Sequence, residues 1–128
     1  MKRLMIYTGL IFMMGFGLTG CYKDVILPDA AVDPDAPAQA VSFKTDIAPF
    51  VASHCALSGC HVTGTSHKPF MATPGSYGQI VNGGYVNVLI PKQSILYIKI
   101  NGDMKEYIPS AVDRQKIYDW IRNGAPNN

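Results

Sequence analysis

The apolar positions divide this chain into an unbroken N-terminal block, a polar stretch punctuated by proline, and a C-terminal part with helical spacing. Leu4 to Leu18 is apolar except for the mildly polar Tyr7 and Thr8. Residues 22 to about 41 carry Pro28, Pro34 and Pro37 among Asp29, Asp33 and Asp35. No helical period runs through them, and proline removes backbone donors, so they read as linker. Ile47, Phe50 and Val51 then recur on one face, predicting a helix from Thr45 or Asp46 to about His54. Asp46 suits its cap and Pro49 its first turn. Gly, Ser, Thr and Pro make 62 to 76 an irregular loop. A short helix is expected over Gly75 to Val81, stopping at Asn82-Gly83-Gly84. Ile95, Leu96, Ile98 and Ile100 fit a strand as well as a helix. Ser94 as a cap selects helix over Ser94 to Ile100. The last helix is the clearest. Ser110 to Asp113 resembles a capping box, Ile117, Trp120 and Ile121 form a stripe, and Gly124 suits the C′ position.

At 128 residues, one domain is expected, over 42 to 128. The fold class is all-α. A core this small is marginal alone, which favours a fold packed around a ligand.

Met1-Lys2-Arg3 before the apolar block makes residues 1 to 20 a secretory leader. The block is too short for a convincing membrane span. It ends in Leu18-Thr19-Gly20-Cys21, which resembles a bacterial lipobox, with cleavage before Cys21 and acylation of its thiol. An ordinary leader with a stray cysteine is the plainer reading. Loss of Lys2 and Arg3 takes the eleven basic residues to nine, matching the nine acidic ones. Membrane attachment would then come from lipid and not from a basic patch, and a net charge of +2 gives no reason to expect nucleic acid. Residues 21 to 41, the acylated cysteine and its tether, could reach on the order of 60 Å at ~3.1 Å per residue. Tyr22 and not aspartate follows Cys21. That favours the outer membrane, facing the periplasm or the cell surface.

Candidate chemistry is concentrated in Cys55-Ala-Leu-Ser-Gly-Cys60-His61. Two thiols followed directly by histidine are what covalent haem attachment requires. Both sulfurs become thioethers on the haem vinyl groups, and His61 supplies an axial imidazole. The common spacing is C-x-x-C-H; here four residues intervene, and Ser58-Gly59 must loop out. Other chemistries use the same residues. Cys55 and Cys60 can form a disulfide in an oxidising compartment. Cys55, Cys60, His61 and His67 can be read as zinc ligands, although Cys60 and His61 are adjacent. A redox-active dithiol usually has tighter spacing. His67 otherwise reads as a solvated loop residue, and Trp120 as core against the haem and the first helix.

Beyond the leader only Met71 and Met104 remain. Met104 follows His61 by 43 residues, in Asn101-Gly102-Asp103-Met104. A thioether opposite His61 completes six-coordinate iron and raises its potential. Met71 is the reserve, and an apolar filler is the bland alternative for either.

Val41 to Phe50 before the cysteines, and Lys116-Ile-Tyr-Asp-Trp-Ile-Arg-Asn-Gly-Ala125 at the end, complete a pattern that resembles class I cytochrome c domains. More closely it resembles small monohaem cytochrome lipoproteins of Bacteroidota. The resemblance covers about 42 to 127. It implies one haem c, thioethers at Cys55 and Cys60, proximal ligation by His61 and distal ligation by Met104. Two positions depart from that family: the cysteine spacing is wider, and Lys105 stands where proline usually follows the methionine. The expectation is a membrane-anchored electron carrier serving redox partner proteins, not an enzyme. A haem-free disulfide lipoprotein acting as a binding module is the alternative. A haem sensor or peroxidase-like domain with Met104 unbound is a third.

Overall fold

A computed structural model describes residues 32–72 and 74–128. The leader, Cys21 and the first part of the tether lie outside them. Among the described residues the regular structure is entirely helical. A π-helical turn, Phe43–Ile47, runs directly into α1, Ala48–His54. Helices α2 (Ser76–Val81), α3 (Ile95–Asn101) and α4 (Ala111–Arg122) follow. Short 3₁₀ turns occupy Pro91–Gln93 and Lys105–Tyr107. No helix among the described residues is long and apolar enough to cross a membrane.

The first helical segment begins earlier than its apolar spacing predicts. Ser42, not Asp46, is the N-cap: its hydroxyl accepts from the Thr45 N–H at 3.3 Å. Asp46 acts in reverse, its carboxylate accepting from the Ser42 N–H at 2.8 Å. Each residue therefore satisfies an otherwise orphaned donor. Pro49 falls in the first turn of α1, where its missing N–H costs little.

Helix α3 resolves the strand-or-helix ambiguity. A strand would put Leu96, Ile98 and Ile100 on one face. Instead Leu96 and Ile100 are buried while Ile98 is 54% exposed, as a four-residue repeat requires. Ser94 precedes the helix, but its hydroxyl does not cap it. That hydroxyl accepts from the Asn87 N–H at 2.8 Å and fastens the preceding loop.

Helix α4 is the centre of the core. Ser110 caps it through the Asp113 N–H. Ile117, Trp120 and Ile121 are fully buried. Gly124 adopts φ +89°, a conformation open to glycine at little cost. Its N–H donates to Ile121 O, and Ala125 N–H donates to Trp120 O, which closes a Schellman motif. The Trp120 ring lies 5.3 Å from Phe43 and 6.5 Å from Tyr77. Its indole N–H donates to Pro126 O. Trp120 is thus core between the first helical segment and α2, and it does not border the cavity described below.

The proline-punctuated stretch is fastened to α4 over its last residues. Arg122 donates to the carbonyls of Pro34 and Ala36, and Asp119 accepts from Gln39 N–H. Val41 is buried. Any free tether therefore ends before Pro34.

Candidate functional site

Helix α1 delivers the chain into the cysteine loop. The Cys55 N–H completes the helix by donating to Val51 O. The chain then reverses in a turn closed by Cys60 N–H to Leu57 O at 2.9 Å. Gly59 occupies that turn at φ +81°. A Cβ there would meet no atom within 4 Å, so backbone conformation and not crowding favours glycine. A second bond, His61 N–H to Cys55 O at 3.1 Å, draws together the two ends of the motif. The two additional residues are accommodated as a turn at Ser58-Gly59, where the sequence places it. The Thr65 hydroxyl lies 2.7 Å from Cys60 O and 2.8 Å from Val62 O, and donates between them.

Pro69 holds the His61 ring in place. The imidazole Nδ1 is 3.0 Å from Pro69 O. A carbonyl can only accept, so Nδ1 is the donor in this contact and Nε2 is the ring nitrogen left for a ligand. A hydrogen bond of this kind also orients the ring and raises its strength as a ligand. His67 is exposed, with its ring centre 6.5 Å from that of His61.

Cys55, Cys60 and His61 border a cavity of about 520 Å³. This is the size and character of a small-molecule or cofactor site. One wall comes from residues 54 to 71 and the other from residues 85 to 108. Leu96, Ile100 and Ile108 give the second wall its buried apolar surface. Both sulfurs are free thiols. Burial, helped by the neighbouring Cys60, pushes the Cys55 thiol up to about 11, so it stays protonated at neutral pH. Among the described residues no three His, Cys, Asp or Glu side chains are gathered to hold a metal ion, so the four-ligand zinc arrangement is not assembled.

Both methionines border the cavity, in different settings. Met71 is buried, and its N–H donates to His61 O at 2.8 Å, which ties it to the wall that carries the histidine. Met104 is 37% exposed and belongs to the turn after α3, on the other wall. Beside it, Tyr107 also borders the cavity. Its phenol is held above the ordinary value mainly by Glu106, with smaller contributions from burial and from Cys60.

No protein-family model, curated protein or solved structure matches this chain.

What the site can do therefore follows from its donor set. Two free thiols, an imidazole with an open Nε2 and a thioether from a distant segment share one apolar cavity. This set fits a covalently held, axially ligated haem better than a closed metal centre. Sequence pattern alone does not single out Tyr85, Lys99 or Tyr107 as wall residues. Tyr107 had the nearest signal, three residues beyond Met104.

Proposed function

We propose that this chain is a monohaem c-type cytochrome, exported and held at the outer membrane by acylated Cys21. On this reading its small all-helical domain is a cytochrome c-like fold packed around the haem. The observation that carries the reading is the shared cavity, with Cys55, Cys60 and His61 on one wall and Met104 on the other. When bound, haem supplies a one-electron Fe(III)/Fe(II) couple.

The chain's own residues hold, ligate and shield. Cys55 and Cys60 would hold the haem as thioethers, each S–H adding across one vinyl group with no net redox change. His61 offers Nε2 as the proximal ligand while Pro69 O retains the Nδ1 proton. Met104, on the lining of the same cavity, would offer its thioether as the distal ligand. Leu96, Ile100 and Ile108 exclude water from that side. With His61 and Met104 both serving as ligands, the iron would have no position left for a substrate. Electron carriage between redox partner proteins fits such a site better than turnover.

The test is an absorption spectrum and intact mass of protein matured in a host with c-type haem assembly. A reduced low-spin spectrum and a mass raised by one haem that survives acid-acetone extraction are expected. A colourless protein lighter by one pair of hydrogens, beside a control cytochrome matured in the same cells, refutes the cytochrome and leaves the disulfide lipoprotein.

A further inference from the structure

We infer that Arg114 is a positioning residue for Met104: its buried guanidinium ties together the two ends of the turn that carries the thioether. This rests on the proposed ligation by Met104. Every residue from Asn101 to Tyr107 is exposed. The turn is held to α3 by Met104 N–H to Lys99 O at 2.9 Å and closed on itself by Tyr107 N–H to Met104 O at 3.1 Å. The Lys99–Asp103 ion pair is open to solvent on both sides and adds little. These contacts shape the turn and join it to α3, but none of them joins it to α4.

Arg114 provides that attachment. It lies one turn into α4 and is only 8% exposed. Its Nε donates to Asn101 Oδ1 at 3.2 Å, at the start of the turn. Its Nη1 donates to Pro109 O at 2.6 Å and to Ile108 O, at the end of the turn. No carboxylate pairs with it among the described residues. Burying a guanidinium without a counter-charge is costly. Here a planar fork of donors reaches acceptors on two segments at once, which offsets that cost. A lysine would keep the charge without the fork. An apolar filler would keep the packing without either.

The experiment compares wild type with Asn101→Ala, Arg114→Lys and Arg114→Met in two forms. In haem-free protein, amide hydrogen exchange is read at Met104 and Tyr107, with Val51 and Ile80 as references. Exchange in the turn should rise about tenfold or more for Arg114→Met and about threefold for Asn101→Ala, while the references hold. In haem-loaded protein, the imidazole concentration that displaces the thioether should fall by similar factors, and Arg114→Lys should not restore it. An equal rise at all amides would make Arg114 a general core staple and overturn the inference. So would wild-type exchange in the turn together with a wild-type imidazole titration. Should Arg114→Met not fold, Asn101→Ala decides, because Asn101 is exposed. Met104→Ala separates the two levels. If it leaves the spectrum unchanged, ligation by Met104 fails and this inference with it. If it abolishes the low-spin form while the clamp variants match wild type, the clamp alone fails.

Discussion

His61 and Pro69, eight residues apart and both on the cavity lining, are joined by a 3.0 Å hydrogen bond through Nδ1 that leaves Nε2 as the ring nitrogen for a ligand. The loop between them thus orients the ring before any ligand arrives. His61→Ala should keep the haem, since both thioethers remain, but lose low-spin iron. Added imidazole should restore the low-spin spectrum. Loss of covalent haem, read by mass, would show that His61 is needed for attachment and not only for ligation.

Met104 and Met71 should separate cleanly. Met104→Ala removes the proposed distal ligand, so the reduction potential of the haem-loaded protein should fall, and the folded state should change little because the side chain is 37% exposed. Met71→Ala empties a buried position and should cost about 2–5 kcal/mol in denaturant unfolding, with low-spin iron retained. The reverse pattern would make Met71 the ligand.

Cys55 gives the haem-free, reduced protein a pH dependence with a definite sign. Its folded pKa, about 11, lies above the reference value of 9.0. Between these values the unfolded chain has lost the proton and the folded one retains it. Stability should therefore be level below pH 9 and fall as pH rises toward 11, by on the order of 2 kcal/mol. Cys55→Ala and the haem-loaded form, in which no thiol remains, should lack this fall. Urea titrations at pH 8 and pH 10.5 would show it.

Gly59 holds a left-handed turn inside the cysteine loop. Gly59→Ala should cost about 1–2 kcal/mol through strain alone, since the space is open. The covalent haem yield per chain should drop with it. Gly75→Ala, at φ −83° with no atom near its Cβ, is the control and should match wild type.

Arg122 fastens the strap by donating to Pro34 O and Ala36 O. Arg122→Ala should expose residues 32 to 38 to proteolysis, with midpoint and spectrum unchanged. Limited digestion followed by mass analysis of the cut sites checks this.

Periodicity made most of the helices legible. Ile117, Trp120 and Ile121 repeat at helical spacing and are buried together in α4. Ser58-Gly59 reads as a turn and forms one, because glycine's freedom at positive φ is local. Capping was less legible at the first helix. Ser42 and Asp46 are both good caps by type, and only the onset of the π-helical turn decides between them. The strap was illegible for a different reason. Pro34 and Ala36 are held by their carbonyls, and a carbonyl looks the same in every residue.

By itself, the sequence determined the helical class, the bounds of α4 and the thiol–thiol–imidazole order. These depend on neighbours three or four positions away, or on residue chemistry alone. Tertiary structure decided what is shared between distant segments. It brought Met104 and His61 to the lining of one cavity, tied the His61 ring to Pro69 O, partly buried Cys55 and joined Arg114 to the start of the Met104 turn. Each depends on a contact across a loop or on exclusion of water, and such contacts exist only once the whole domain has closed.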